Sequence, residues 1–349
     1  DITDFSITVS NAELTGSGSL RSNEIIITYE IEHRITNVNI QPDTFILGDV
    51  VTAEITVIDD LGREYSYGYG RIAGQNLDSL RKGNNTLYYG FFTVDEGDQE
   101  FDYNDLISVD SLRLDFNSIE SSYFSSNSIS EVIIDSEAPV INYMQVPDGL
   151  KKVGDFIDII VSADDEGYRI VNDQSFINNI PSSDPDVSLI SLGNGVYIYR
   201  YIVGEGDNDV TQPGELTAQL VLQDVAGNTN EPFNILNSNT ITIDANSPVI
   251  DSMTVHDSLY IPGEVVEITV FTDGSEYIAD NSSYVNGVQL STDYVEFVYI
   301  SDNQYILSYQ VRENDGDVQP GELEVGLLLK DPAGNSSGMI TVLEENQLS

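Results

Sequence analysis

Carboxylate side chains form a pattern that this sequence repeats three times. Each copy places acids at every second position after a tyrosine-containing run: Glu96, Asp98 and Glu100; Glu205, Asp207 and Asp209; Glu313, Asp315 and Asp317. In a loop, acids at i, i+2 and i+4 let alternate side chains converge on one point, as in the oxygen-ligand loops that bind Ca²⁺. The spacing therefore predicts calcium-binding loops.

The overall charge supports this interpretation. The chain has 349 residues, 59 Asp and Glu against 13 Lys and Arg, and a formal net charge of −46. Two carboxylates ~4 Å apart at an effective dielectric near 20 repel by about 4 kcal/mol, a large part of a domain's stability of ~5–15 kcal/mol. Packing several acids into one loop without a cation would therefore oppose folding. The alternative is a generally solvated acidic surface, as in proteins adapted to high salt.

Composition excludes several classes of function. The charge excludes nucleic acid and anionic membranes as partners, because both are bound by clustered Lys and Arg. There is no Cys, and the two histidines, His33 and His256, lie far apart, which leaves oxygen ligands and favours Ca²⁺ over zinc or copper. The acids crowd into polar loops, whereas a glycosidase needs one acid in an apolar pocket. We therefore expect no enzyme.

The expected location is outside the cell. No apolar run approaches the ~18 residues of a membrane span, and the chain opens at Asp1 rather than Met. Both features favour a processed mature chain, or a piece of one, that works outside the cell or at its surface without membrane insertion.

Internal repeats determine the predicted domains. Residues 134–146 recur at 243–255, Pro213-Gly-Glu-Leu216 recurs from Pro320, and Asp224-Val-Ala-Gly-Asn228 recurs as Asp331-Pro-Ala-Gly-Asn335. A fainter first copy lies upstream. The sequence predicts an N-terminal strand extension over residues 1–34, a divergent first domain over 35–135, a second domain over 136–245 and a third over 246–349.

Apolar residues alternate with polar ones within each repeat, as in Val266, Ile268 and Val270. This period of two buries one face of an antiparallel sheet. About seven short strands per copy, separated by Gly, Pro, Asn and Asp clusters, predict an all-β fold of three tandem Ig-like β-sandwich domains in an elongated array.

Three features resemble a known class of module: the Asp-x-Ala-Gly-Asn signature, the Pro-Val-Ile run that opens a repeat at 139 and 248, and the acidic loops. In them the chain resembles tandem Ig-like or cadherin-like domains of prokaryotic surface proteins. The resemblance covers residues 136–349 well and 35–135 weakly.

This topology predicts where the acids meet. If the tyrosine run is strand E, the acid-x-acid-x-acid segment is the E–F loop at the bottom of each sandwich, and the B–C and F–G loops lie at the top. At the first junction Glu96, Asp98 and Glu100 would meet Asp135, Glu137, Asp164, Asp165 and Asp224; at the second Glu205, Asp207 and Asp209 would meet Asp244, Asp273 and Asp331. This arrangement is similar to the interdomain calcium of cadherin repeats. The competing geometry keeps each ion inside one E–F loop, which Glu215 or Glu322 would close.

The F–G loops have a second interpretation, because Gly and Asn readily adopt the positive φ of a tight turn. In that case Asn228 and Asn335 are turn residues. The first domain lacks the signature, and its top-loop acids, Asp59 and Asp60, have no upstream partner domain in this sequence.

The two ends of the array suggest self-association. The acids at the top of the first domain and at the bottom of the third are complementary in position, which predicts head-to-tail assembly. In the N-terminal extension, residues 2–9 and 24–32 resemble strands and could pair with an exposed sheet edge of a neighbour.

The leading functional hypothesis is a structural surface protein: a filament subunit, surface-layer component or adhesin stalk stiffened by calcium. The alternative is a ligand- or carbohydrate-binding accessory region or spacer of a larger secreted protein, for which Tyr65, Tyr67 and Tyr69 could form an aromatic strip. Asn84, Asn281 and Asn335 match the N-glycosylation pattern, so attached glycans are a further possibility.

Overall fold

The computed structural model describes residues 35–344 and Leu348, apart from 59, 61, 118 and 121. The described residues are all-β, with 31 strands, so the predicted all-β class is confirmed. The expected strands at residues 2–9 and 24–32 lie outside this part of the chain. Within it, no helix has the length and apolar character needed to cross a membrane.

The first domain packs two sheets, ordered β1-β3-β6-β5 and β4-β7-β8, with β9 also paired to β7. Its strands are β1 Ile35–Ile40, β2 Thr44–Phe45, β3 Val50–Val57, β4 Ser66–Ile72, β5 Ser79–Lys82, β6 Leu87–Thr93, β7 Leu106–Phe116, β8 Ile119–Glu120, β9 Phe124–Ile129 and β10 Ile133–Ile134.

The second domain has one continuous sheet, ordered β17-β18-β13-β11-β21, opposite a set of short ladders. Its strands are β11 Ile141–Gln145, β12 Leu150–Lys152, β13 Phe156–Ala163, β14 Arg169–Ile170, β15 Phe176–Ile177, β16 Ile180–Pro181, β17 Val187–Gly193, β18 Val196–Ile202, β19 Ala218–Gln219, β20 Leu222–Gln223, β21 Leu236–Asn237 and β22 Thr242–Asp244.

The third domain repeats this plan, with one sheet ordered β23-β24-β29-β28 and a second built around β30. Its strands are β23 Ile250–Val255, β24 Val265–Thr272, β25 Ile278–Ala279, β26 Tyr284–Val285, β27 Val288–Gln289, β28 Val295–Ser301, β29 Gln304–Gln310, β30 Val325–Lys330 and β31 Ser336–Ile340.

The tyrosine run occupies the place of strand E. In the second domain β18 lies between β13 and β17 and pairs antiparallel with both, which reproduces the A-B-E-D order of an Ig-type sheet. Tyr197, Tyr199 and Tyr201 alternate inward and are buried, because a strand's successive side chains point to opposite faces. The E–F loop therefore begins where β18 ends.

Each domain buries its own hydrophobic cluster. In the first two domains the last strand runs parallel to the strand that precedes B: β10 pairs with β2, and β22 pairs with β12. These pairs bring the end of each domain, and hence the linker acid, next to the turn before β3 or β13.

Candidate functional site

The signature Asp-x-Ala-Gly-Asn forms a tight loop at the start of each interdomain junction. In the second domain Asp224 Oδ1 accepts hydrogen bonds from the N–H groups of Gly227 (2.6 Å) and Asn228 (2.9 Å). Gly227 has φ 124°, a conformation that a residue with a Cβ rarely adopts. The loop is thus closed by its own aspartate and glycine, and the Asn228 side chain is directed at the preceding domain.

The Asn228 side chain joins the second domain to the first. Its Oδ1 accepts the N–H of Leu47 (2.9 Å), which lies in the turn before β3. Its Nδ2 donates to the linker carboxylate of Asp135 (2.9 Å) and to Asp224 (3.0 Å). Asn228 is 2% exposed, so this amide is a buried polar group with both its donor and its acceptor satisfied.

The second junction repeats this geometry. Asn335 Oδ1 accepts the N–H of Val153 (2.8 Å), and Nδ2 donates to the Asp244 carbonyl (3.1 Å) and to Asp331 (2.9 Å). Asn335 is also 2% exposed. We call each of these two sets of contacts, centred on Asn228 and Asn335, an asparagine latch.

The latches change two sequence-based interpretations. Gly227 and Gly334 take the positive φ values of the turn, and the asparagines do not. The role of each asparagine is therefore the hydrogen bonding of its side chain to the preceding domain. Glycosylation of Asn335 is incompatible with its burial, whereas Asn84 and Asn281 are exposed.

Leu47 and Val153 were not predicted as functional residues. Each contributes a backbone N–H, which is common to every residue except proline and so leaves no side-chain signal. The available signal was indirect: Gly48-Asp49 and Gly154-Asp155 follow them at matched positions.

E–F loop acids bind the linker at the second junction. Glu205 accepts hydrogen bonds from Ser247 N–H (2.8 Å) and Oγ–H (2.6 Å). Asp209 accepts from Ala245 N–H (2.8 Å) and Asn246 Nδ2 (2.9 Å). The first and third acids of this loop therefore fix the chain as it passes between domains.

The first junction uses a different contact. Ser136 Oγ donates to the Asp98 carbonyl (2.9 Å). Ala138 stands where the second junction has Ser247 and offers no hydroxyl to Glu96, which is exposed. The latch is thus the shared element of the two junctions, and the linker contacts vary.

The middle acid of each E–F loop stabilises the turn itself. Asp207 accepts hydrogen bonds from Gly204 N–H (2.6 Å) and the Tyr201 hydroxyl (2.5 Å). Asp315 accepts equivalent bonds from Arg312 N–H (2.8 Å) and the Tyr309 hydroxyl. In the first domain, Asp98 accepts Asp95 N–H (2.8 Å).

The B–C loop acids attach the top of a domain to its first strand. Asp164 accepts Val140 N–H (2.9 Å) and the Tyr168 hydroxyl (3.0 Å). Asp273 does the same for Val249 (2.9 Å) and the Tyr277 hydroxyl (2.9 Å). Burial and the adjacent carboxylate both raise the pKa of these two tyrosines.

The remaining predicted ligands lie at the periphery. Asp165 accepts the N–H of Glu166 (2.8 Å), and Glu313 and Asp317 are exposed at the E–F end of the third domain. In the first domain Asp59 lies outside the described residues, and Asp60 points inward to Lys82 rather than outward to a neighbour.

Burial and neighbouring carboxylates raise the pKa values of the linker acids. Burial raises the pKa of Asp135, and the Asp224 carboxylate raises it further. Burial and then Asp331 do the same to the pKa of Asp244. Burial raises the pKa of Glu100, with Asp135 among its repelling neighbours. Yet among the described residues no group of three or more acid or histidine side chains is placed to hold a metal ion.

The tyrosines proposed as an aromatic strip do not share an exposed face. Tyr65 is buried, and the partly buried Tyr67 donates its hydroxyl to the Gly70 carbonyl (2.5 Å). Only Tyr69 of the three is largely exposed. In a regular strand these three residues would share one face, but the pairing of β4 with β7 shifts register between Tyr67 and Tyr69, which turns Tyr69 outward.

Removing the tyrosine hydroxyl from the E–F turn, as Tyr201→Phe, is expected to lower the free energy of unfolding of the second domain by about 1–3 kcal/mol, because the partly buried carboxylate of Asp207 loses a donor. Denaturant unfolding with a domain-specific probe measures it. Tyr143→Phe, at an exposed site, is the matched control. Equal stability of both variants would contradict a structural role for Asp207.

No protein-family model and no curated protein matches this chain. Among solved structures, an I-band fragment of titin aligns with 90% of this chain and 97% of its own length, at 12% identity and a TM-score of 0.36. The Escherichia coli adhesin FdeC covers 89% of this chain and 96% of its own, at 11% identity and a TM-score of 0.28. The N-terminal eight Ig domains of the Down Syndrome Cell Adhesion Molecule cover 90% of this chain and 37% of their own, at 13% identity and a TM-score of 0.32. Because these identities and TM-scores are low, the assignment of an Ig-like fold rests on the strand order of the sheets.

Proposed function

We propose that this chain is a structural extracellular or cell-surface protein in which Ig-like domains are held in fixed relative orientation, as in a filament subunit, surface-layer component or adhesin stalk. The observation that carries the proposal is the asparagine latch. The same buried amide connects a loop of one domain to a backbone N–H and a linker acid of the preceding one at both junctions.

Fixed junctions suit a spacer better than a flexible tether. A linker without such contacts leaves relative domain motion as the default. Here the domains are joined through a satisfied buried polar group and through linker contacts to Glu205 and Asp209. Because the amide satisfies its partners in only one arrangement, the cost of an unsatisfied buried donor favours a single interdomain geometry.

Distance measurements between spin labels test this proposal directly. The chain has no Cys, so any introduced pair is labelled uniquely. Exposed sites at Ser79, Leu192 and Val298 lie one in each domain. Pairs 79–192 and 192–298 are expected to give narrow distance distributions. Broad distributions for both pairs would overturn the proposal of a stiff array.

We further propose that calcium strengthens the junctions by relieving repulsion at the linker acids. The raised pKa of Asp135 and of Asp244 supports this, because both groups carry charge that their surroundings disfavour. The described residues do not form a preformed cage of three acids. The cation would therefore act through attraction to one or two carboxylates at each junction rather than through a complete coordination shell.

Thermal unfolding in EDTA, with calcium titrated back at fixed low and high sodium, tests this second proposal. We expect the melting temperature to rise by a few degrees at millimolar calcium, since each kcal/mol shifts it by roughly 2–8 °C. Asp135→Asn with Asp244→Asn should remove most of the increment, and the exposed Asp173→Asn should not. Equal stabilisation by sodium alone would refute a specific calcium effect.

The rise in melting temperature that calcium causes should depend on pH in a defined direction. A carboxyl whose folded pKa lies above its ordinary value of 3.8 binds more protons in the folded state, so its contribution to stability rises as pH falls through the folded pKa. Protonation and calcium relieve the same repulsion. The calcium increment should therefore shrink as pH approaches 4 from neutrality.

A further inference from the structure

The last strand of each of the first two domains is held by a short parallel pair. In the first domain β10 pairs with β2 over two residues, and in the second β22 pairs with β12 over three. On its other edge each of these last strands has an isolated bridge, Phe101–Ile134 or Val210–Ile243. We call β2–β10 and β12–β22 the closing pairs. Because each has so few hydrogen bonds, one additional bond strengthens it by a large fraction.

The closing pairs lie where tension along the chain would act. The chain enters the second domain through β11, which β12 follows, and it leaves through β22 into the linker to the third domain. Because β12 and β22 run in the same direction, pulling the two ends of the domain apart slides one strand past the other. The hydrogen bonds of the pair are then loaded together instead of one after another.

The latch of the second domain continues the closing pair of the first. Asp135 N–H donates to the Phe45 carbonyl (3.0 Å), so the next bond of this parallel ladder would run from Leu47 N–H to the Asp135 carbonyl. Asn228 lies between these two groups. Its Oδ1 accepts Leu47 N–H (2.9 Å), and its Nδ2 donates to the Asp135 carbonyl (3.3 Å) as well as to the carboxylate.

The latch of the third domain does the same for the closing pair of the second. Thr242 N–H donates to the Gly149 carbonyl (3.1 Å), and the alternation of the ladder then places its next free bond between Val153 N–H and the Asp244 carbonyl. Asn335 accepts the first group (2.8 Å) and donates to the second (3.1 Å). At both junctions, a side-chain amide of the following domain thus takes the place of the next hydrogen bond of the closing pair.

A carboxamide suits this position because it both accepts and donates, as a peptide group does, whereas a carboxylate cannot donate. Its second N–H donates to the acid of its own loop, Asp224 (3.0 Å) or Asp331 (2.9 Å), which orients the amide. Both asparagines are 2% exposed, so water has little access to compete for these bonds.

We propose that this chain sustains tension, and that each following domain supplies the last hydrogen-bonded link of the closing pair of the domain before it. The second domain therefore resists forced unfolding most strongly while the third is folded, and the first while the second is folded. The dependence has one direction, because the asparagine belongs to the following domain and the closing pair to the preceding one. The inference rests on the latches of the proposed function, but it concerns resistance to force rather than orientation.

Single-molecule pulling on the full chain tests this inference. The chain has no Cys, so cysteines introduced at Val140 and Val249, which are 51% and 50% exposed, attach the handles. They load the second domain alone, with its neighbours still in place. Asn335→Ala should accelerate unfolding of this domain at constant force by roughly ten- to a hundredfold, because the closing pair loses its last link and Val153 N–H loses its acceptor. Asn335→Asp, which keeps the size of the side chain but cannot donate, should also accelerate it.

Two variants are the matched controls. Asn228→Ala removes the latch that the second domain contributes to the first, so it should change the unfolding rate of the second domain much less. Tyr197→Phe removes the hydroxyl that accepts the N–H of Tyr168 (3.1 Å), at the opposite end of β18 from the E–F loop. It lowers the stability of the same domain but leaves the closing pair intact, so it too should have a much smaller effect under force.

Equal unfolding rates of wild type and Asn335→Ala under force would overturn the inference, and so would an equal acceleration by Asn228→Ala or Tyr197→Phe. The proposed fixed orientation can fail separately. Narrow label distances with unchanged unfolding rates would refute the role in tension and leave the fixed junctions. Broad label distances with an unfolding rate that depends on Asn335 would do the reverse.

Discussion

Replacing both latch residues, as Asn228→Ala with Asn335→Ala, is expected to uncouple the domains while leaving each one folded. Each substitution removes the acceptor for a backbone N–H of the preceding domain and the donor to the linker, which is received by the Asp135 carboxylate at the first junction and by the Asp244 carbonyl at the second. A buried donor left without a partner costs about 1–3 kcal/mol. The double variant should therefore lose most of the coupling at both junctions.

Two measurements report on this loss. The spin-label distance distributions 79–192 and 192–298 should broaden. Amide exchange at Leu47 and Val153 should accelerate by roughly ten- to a hundredfold, since 1.4 kcal/mol corresponds to a factor of ten. The matched control is Asn127→Ala with Asn172→Ala, at exposed positions. Unchanged distributions in the latch variant would show that the linker contacts alone fix the geometry.

A charged replacement separates shape from hydrogen bonding. Asn335→Asp preserves the size of the side chain, but a carboxylate cannot donate to Asp331 or to the Asp244 carbonyl, and it adds negative charge to an acidic junction. It should uncouple the second junction more strongly than alanine does at neutral pH. Acidification should partly restore the coupling, because a protonated carboxyl can donate.

The second large effect is expected at Asp60 of the first domain. This carboxylate is 1% exposed and accepts hydrogen bonds from Lys82 Nζ (2.6 Å), the Tyr88 hydroxyl (2.6 Å) and Gly62 N–H (2.9 Å). Asp60→Ala should lower the free energy of unfolding by about 3 kcal/mol, because the Gly62 N–H loses its acceptor and Lys82 Nζ and the Tyr88 hydroxyl keep only the Arg63 carbonyl. Denaturant unfolding that follows the first domain measures this change.

The pH dependence of this loss of stability shows whether the charge of Asp60 causes it. Burial by itself would raise the pKa of Asp60, but the hydrogen bonds from Lys82, Tyr88 and Gly62 outweigh it and hold that pKa below the usual 3.8. A carboxyl with a depressed folded pKa contributes stability above its unfolded pKa and loses it as pH falls through the folded value. The difference in the free energy of unfolding between wild type and variant should therefore be largest at neutral pH and should diminish as the pH falls below about 4.

An exposed ion pair is the matched control for Asp60. Asp158 pairs with Arg200 at 2.7 Å, but their side chains are 36% and 30% exposed. Solvent screens such pairs, so Asp158→Ala should cost much less stability. If the two variants lost stability equally, burial would not be the reason for the effect at Asp60.

Local patterning was sufficient to predict the fold. The alternation in runs such as Tyr305, Leu307 and Tyr309 places one face in the core, and these residues are buried. The repeat placed the tyrosine run as strand E and the acidic segment as the loop after it, and both lie there. These features depend on the period of the backbone and on burial of apolar area, which are properties of short segments.

The roles of the individual acids, in contrast, could not be predicted from the local sequence pattern. Asp207, Asp164 and Glu205 share a residue type, yet one closes a turn, one holds a first strand and one binds a linker. Each role is set by which N–H or hydroxyl the fold brings within hydrogen-bonding distance. Half of the donors to these three acids are backbone N–H groups, which almost every residue has, and the other half are hydroxyls that only the fold brings near.

The sequence by itself determined the all-β class, the repeat, the position of the acidic loops and the chemistry available without Cys. The tertiary structure decided that the asparagine, rather than its neighbouring acids, joins one domain to the next. The physical reason is that the latch requires Asn335, Asp331, Asp244 and the Val153 N–H to meet in one buried place. Residues from 153 to 335 come together there only when two folded domains are in contact.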